Sequence, residues 1–334
     1  MKIGNQSIKF NDIFINETAT IVGPVEGQGP ISSYFDEIVE DNYLDCDSFE
    51  KAEILLQIKS IKKLFEKTKM TTNDIDLLIS GDLINQTAVS NYAGRNFNIP
   101  FWGVYGACST SILNLIIASN VIESGNFNNI ICVTSSHNLS AERQFRSPIE
   151  YGGAKNETTT FTVTGGCAAL VSNTKSKIKI EGATIGKVID VGFKDATDMG
   201  RAMAPAAVET LLSHFEDFNC KPSDYDLILT GDLSSFGFEI VNNLLKERYQ
   251  KDFNYNDCGL IIYDKENQNV FSGGSGCACC GCVTYAYVKE KLLSKELNKV
   301  LICATGALMN TNMSLQKESV PAIAHAIILS RCDE

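Results

Sequence analysis

Residues 74–86 read DIDLLISGDLINQ, and residues 224–236 read DYDLILTGDLSSF, the same pattern 150 positions later. In each, a short apolar run, Leu77–Ser80 or Leu227–Thr230, ends at Gly-Asp-Leu, which predicts a buried strand closed by a turn. A helix is expected before each strand. Ile54, Ile58, Ile61 and Phe65 share one helical face in the first copy, and Val208, Leu211, Phe215 and Phe218 share one in the second. The repeat extends further. FWGVYGACSTSILNLIIASNVIESGNFNNIICVTS (101–135) parallels FSGGSGCACCGCVTYAYVKEKLLSKELNKVLICATG (271–306). Each reads as a strand or glycine-rich turn, small residues, a helix and a buried strand. The offset has grown here, which predicts an insertion in the second copy as a hairpin near Cys258–Gly273. GGCAALVSN (165–173) and AHAIILSRC (324–332) supply a closing strand each. Three matches in the same order predict an α/β protein of two pseudo-symmetric halves, 1–175 and 176–334. Central helices should lie between two mixed sheets in one compact body.

The 334 residues are 44% hydrophobic and 21% charged, enough for a substantial core. The formal charge of −11 argues against nucleic acid or an anionic membrane as a broad partner. It also means that an acidic small molecule needs a local basic group, a helix N-terminus or a bound cation. MKIGNQSIKF lacks the apolar core of a signal peptide. The most apolar helical stretch, Ile112–Ile122, is about half of a ~20-residue membrane span. The twelve cysteines then read as reduced thiols, and the expected address is cytoplasmic.

Cys108, in Tyr-Gly-Ala-Cys-Ser-Thr ahead of an apolar helix, is placed to feel the helix dipole. It is either an activated nucleophile or a small residue packed at a tight junction. The Cys277–Cys282 run has neither C-x2-C nor paired-knuckle spacing, so close helix packing is the stronger reading over metal. The Ala141–Gly153 run mixes charges, aromatics and glycine on a long connection. Arg143 and Arg146 offer carboxylate-binding forks or, equally, surface ion pairs.

The duplicated halves with Gly-Ala-Cys-Ser-Thr entering a central helix resemble the thiolase and ketoacyl-synthase superfamily. Residues 81–111, the segment TSSHNLSAERQFRSPIEYGGAKNETTTFTVTG (134–165), MGRAMAPAAVETLLSHF (199–215) and FSGGSGCACCGCVTY (271–285) narrow the resemblance. They are similar to the stage V sporulation protein AD family of spore-forming bacteria. The resemblance implies a thiolase-like fold with Cys108 at the nucleophile position. The second-half partners that stabilise an oxyanion and move protons should fall at Gly231 and Gly274, where no side chain can do so. Cys303 lies where thiolases carry a second cysteine, without the full glycine run. A catalytically inactive descendant is therefore expected, its pocket enlarged where glycine replaced catalytic side chains. The alternative is an acyl-CoA condensing or acyl-transfer enzyme using Cys108.

The resemblance further implies a ligand, dipicolinic acid or its calcium chelate. It implies membrane subunits of a spore dipicolinate channel as partners, attachment at the spore inner membrane, and a homodimer formed through Phe101–Tyr105. No cofactor is expected, calcium entering only with the ligand. The chelate is neutral, which removes the charge objection, and calcium takes further oxygen ligands. Asp82 and Asp232, or Asn85, could complete its shell, or the aspartates could cap turns. Ser136 and His137 at a strand end are candidate ligand contacts, with a loop-orienting role the alternative for His137. His325 either lines the pocket or sits in the core, and His214 reads as structural.

Overall fold

A computed structural model describes residues 1–145, 155–251 and 253–332. The first half runs β1 (Phe14–Val22), α1 (Phe49–Thr68), β2 (Leu77–Gly81), α2 (Ala88–Gly94), β3 (Phe101–Gly103), α3 (Thr110–Glu123), β4 (Asn129–Ser136), α4 (Asn138–Phe145) and β5 (Gly165–Ser172). The second runs β6 (Ile178–Thr184), α5 (Met199–Asp217), β7 (Leu227–Thr230), α6 (Ser234–Tyr249), β8 (Tyr255–Asp257), α7 (Cys277–Cys282), β9 (Lys299–Ala307) and β10 (Ala322–Arg331). The pairing orders are β1-β5-β4-β2-β3 and β6-β10-β9-β7-β8, the same permutation twice. In each, β2 or β7 runs parallel to its neighbours, and the closing strand runs antiparallel.

The duplicated Gly-Asp-Leu segments thus end equivalent strands. The counterpart of β3 is Tyr255–Asp257, however, and not the Phe271 segment that the sequence match suggests. The region after β8 is also no hairpin. Asp257 caps a helical turn, Cys258–Ile261, and Asp264 then pins a turn by accepting N–H bonds from Glu266 and Asn267.

α3 explains the layering. Ile112, Leu115, Ile116, Ala118 and Ile122 are buried on every side, because the helix packs on β2, β4 and β5 of one sheet and on β9 and β10 of the other. α1 covers the outer face of the first sheet and α5 that of the second. Both layers need small residues. A Cβ on Gly281 in the central layer would lie 2.3 Å from the Cys167 sulfur, and one on Gly166, under α1, would lie 2.6 Å from the Leu56 carbonyl oxygen. Beyond Cys282 the helix widens into a π-helical segment, Val283–Val288, where the Thr18 hydroxyl donates to the Tyr285 carbonyl.

Two further expectations are refined. The two sheets are joined into one ladder, since Phe14 and Ile15 of β1 pair with Lys179 and Ile178 of β6. The buried face of α1 is also rotated: Glu53, Gln57 and Ser60 are fully buried, whereas Ile54 and Ile58 are only partly so. Gln57 bonds Ser80, Ser90 and Ser135, and Glu53 bonds Ser135 and Ser140. Those partners satisfy the polar groups and let an unusual face turn inward.

Candidate functional site

The turn that presents Cys108 is set by Ala107, whose φ of 49° is left-handed. Ser109 donates to the Gly106 carbonyl at 2.6 Å and Thr110 to the Ala107 carbonyl at 2.6 Å, fixing the entry to α3. From the second half, Asp232 follows β7. Its carboxylate accepts from the Thr305 hydroxyl at 2.7 Å and the Gly276 N–H at 3.1 Å. The Cys108 thiol faces this carboxylate.

The helix-dipole expectation for Cys108 is corrected by this neighbourhood. Burial comes first, and then the negative charge of Asp232, so the thiol is held well above its ordinary value of 9.0. Burial also pushes the Asp232 carboxyl up to about 6, against the Thr305 and Cys108 hydrogen bonds that pull it down. The thiol still stays above the carboxyl, which opposes passing its proton to Asp232.

The two glycines opposite do not leave space. A Cβ on Gly231 would stand 2.9 Å from the Thr305 nitrogen and 3.0 Å from Ala304 Cα. One on Gly274 would meet Ile262 at 2.9 Å and Tyr263 at 3.1 Å. Backbone and side chains have closed over the positions where catalytic groups would stand, contrary to the expected enlargement.

What remains beside Cys108 is a narrow slot with a cavity volume of about 30 Å³, space for about two waters. Tyr105 and Leu83 form one side, Ala141, Glu142 and Phe145 of α4 another, and Met199 and Met309 a third. Thr160, Thr162 and Ser275 add hydroxyls. Ser275 and Thr162 belong to a short parallel ladder, Gly274–Ser275 with Phe161–Thr162, which ties the halves together at the slot.

Several candidate residues lie elsewhere. His137 is fully buried but does not line the slot. Its Nε2 bonds the Asn42 carbonyl at 2.8 Å, its Nδ1 accepts the Leu139 N–H at 3.1 Å, and its ring stacks on Phe49. That is the loop-orienting alternative, and burial lowers its pKa. Ser136 donates to the Val163 carbonyl at 2.7 Å and accepts from the Ala278 N–H, bracing the start of α7. His325, on β10, accepts from the Gly186 N–H at 3.2 Å, and burial lowers its pKa to about 4. Asp82 accepts from the Ile84 and Ser90 N–H groups, both at 2.8 Å, which is the capping role. Asn85 is exposed on the short helical turn after it. His214 is structural, bonded to Thr184 and Tyr225 at 2.7 Å each.

The cysteine run faces several neighbours: Cys277 donates to the Ala107 carbonyl and Cys279 to the Gly231 carbonyl. Among the described residues no group of three or more His, Cys, Asp or Glu is arranged to hold a metal ion. Cys303 is buried in β9 in the second-half core. Arg143 pairs with Glu50 at 3.0 Å, and Arg146 and Glu150–Gly153 lie outside the described residues.

Sequence reasoning singled out the run that holds Glu142 and Phe145, though for its arginines, and missed Tyr105, Met199 and Met309. Tyr105 carried a signal, standing three residues before Cys108 in the same turn. The methionines carried none.

The model of the family "Stage V sporulation protein AD" matches residues 4–330. Stage V sporulation protein AD of Bacillus subtilis (strain 168) is 46% identical over 330 residues, covering 98% of this chain and 97% of that protein. Among solved structures, 3-oxoacyl-[acyl-carrier-protein] synthase III from Aquifex aeolicus VF5 superposes with a TM-score of 0.57 at 12% identity, over 95% of this chain and 99% of the other. Cerulenin-bound OleA of Xanthomonas campestris gives 0.61 at 12% identity, over 96% and 99%. At such identities the likeness shows the fold, which is thiolase-like.

Proposed function

We propose, from the premise that this chain belongs to the stage V sporulation protein AD family, that it is a ligand carrier and not a condensing enzyme. It binds dipicolinic acid or its calcium chelate in the slot beside Cys108 and supports uptake into the developing spore with membrane partner proteins. The observation that carries this reading is the Cys108–Asp232 pair. The thiol stays protonated, and among the described residues lining the slot there is no imidazole to take its proton. Transition-state chemistry at a thioester needs both a thiolate and a proton relay. Binding needs neither.

A flat ring would enter by displacing flexible side chains, Met199, Met309 and Phe145, which are well suited to re-packing. Tyr105, Thr160 and Thr162 offer hydroxyls to its carboxylates. Among the described residues no helix is long and apolar enough to cross a membrane. The proposed place is peripheral, on the spore inner membrane, with partner subunits providing the conduit. The edge strand β3, with Trp102 and nearby Tyr92 exposed, supports a twofold dimer.

Calorimetric titration with dipicolinate, with and without calcium, tests the carrier reading. Saturable heat that is lost in Cys108→Ala supports it, and no heat under either condition overturns it. The retained cysteine on its left-handed turn favours one second reading, acyl transfer through Cys108. A thioester on Cys108 in the mass spectrum after incubation with acyl-CoA would establish that instead.

A further inference from the structure

The described side chains that line the slot include no lysine, arginine or histidine. An entering carboxylate would face Glu142 on the α4 wall and Asp232 behind Cys108, in a molecule already carrying a charge of −11. Directly behind Glu142 stands Lys155. Its Nζ is 3.0 Å from Glu142 Oε1, and the two side chains are only 20% and 14% exposed. The same ammonium lies 5.9 Å from the ring centroid of Phe161 and 5.6 Å from that of Phe271. Phe161 pairs with Gly274 in the ladder that joins the two halves at the slot, and Phe271 is held at a left-handed φ of 54°. Two rings from opposite halves therefore hold a cation one side chain away from the cavity, in a setting where cation–π attraction and partial burial reinforce each other.

We propose that Lys155 is the counter-cation for an anionic ligand in the Cys108 slot, and that Glu142 is its displaceable stand-in. A ligand carboxylate takes the place of Glu142 on Nζ, Glu142 turns outward from the last turn of α4, and the two rings keep the ammonium in position during the exchange. The inference rests on the carrier reading and adds the specificity element that reading lacks. It also states which form of ligand the residue senses: a free dianion gains most from Lys155, whereas a neutral calcium chelate gains little.

The test is calorimetry on the full chain with disodium dipicolinate, its calcium chelate, and picolinate, which carries one carboxylate. Lys155→Met should weaken free dipicolinate at least tenfold, and the chelate by less than threefold. Glu142→Gln should tighten free dipicolinate several-fold by removing the competing carboxylate. Picolinate should bind more weakly than dipicolinate and still lose affinity in Lys155→Met. Thermal melting checks that each variant is folded, and if Lys155→Met is not, the Glu142→Gln arm decides alone. Unchanged affinity in Lys155→Met, or weaker binding in Glu142→Gln, overturns the inference while leaving the carrier reading intact. No heat from the wild-type chain with any of the three ligands overturns both.

Discussion

The Cys108 thiol stands against the Asp232 carboxyl, one residue from each half of the duplicated chain. A nucleophilic cysteine needs a cationic or proton-accepting neighbour that favours the thiolate. Here the neighbour is a carboxylate in a buried setting, whose negative charge opposes a second one on sulfur, so the neutral thiol is favoured.

Thiol labelling should report this directly. In the native protein at pH 8, the half-buried Cys46, Cys220 and Cys332 should alkylate first, with Cys108 at least a hundredfold slower. Asp232→Asn removes the negative charge beside the thiol and should raise the Cys108 rate. Peptide mass spectrometry over a time course measures both. A fast Cys108 in the wild type would contradict the pairing.

Stability should fall as pH rises through neutrality. Burial pushes Glu26 and Asp257 up to about 7 and Glu53 up to about 8. Unfolded, all three ionise near pH 4. Between those limits the folded state holds more protons than the unfolded state, so the slope of stability against pH is negative. The effect is absent below about pH 4 and complete above the folded values, of order 3 kcal/mol for Glu26 alone. Melting temperature should therefore be higher at pH 5.5 than at pH 8, and Glu53→Gln should flatten the difference.

Restoring a side chain at Gly231 should damage the fold before it restores any chemistry. Gly231→Ala places a methyl 2.9 Å from the Thr305 backbone nitrogen, and overpacking of this kind costs about 1–3 kcal/mol. Urea denaturation would read the loss as a lower midpoint with an unchanged slope.

His137→Ala should lower stability and leave dipicolinate affinity within about twofold. The imidazole joins Asn42 to Leu139, and its removal leaves a half-buried carbonyl without its donor and a cavity beside Phe49, about 1 kcal/mol or more. A selective loss of binding in a fully stable variant would return His137 to the ligand.

The dimer proposal predicts that Trp102→Arg, on the exposed edge strand, shifts the protein to monomer in sedimentation without changing its melting temperature by more than a few degrees.

The architecture was legible because it is written twice. Gly-Asp-Leu after an apolar run marks β2 and β7, and the all-apolar α3 signals burial on both sides. The three-residue strands β3 and β8 were not legible in register, since pairing on one side only leaves a weak pattern. The buried face of α1 was misjudged because Glu53 and Gln57 look like solvent residues until their serine partners, 23–87 positions away, are brought to them. For the same reason His137 and Asp82 read equally well as ligand contacts. A local sequence shows that a polar group needs a partner, and only the fold shows that Asn42, Leu139, Ile84 and Ser90 have already filled that need.

The short β1–β6 junction has a consequence for how the chain can be divided. Phe14–Ile15 against Ile178–Lys179 makes each half the other's edge protection. Severed between residues 175 and 176, neither piece would keep its inner strand covered. The cut fragments should be sticky alone and complementary together, recovering the native spectrum on mixing in equal amounts.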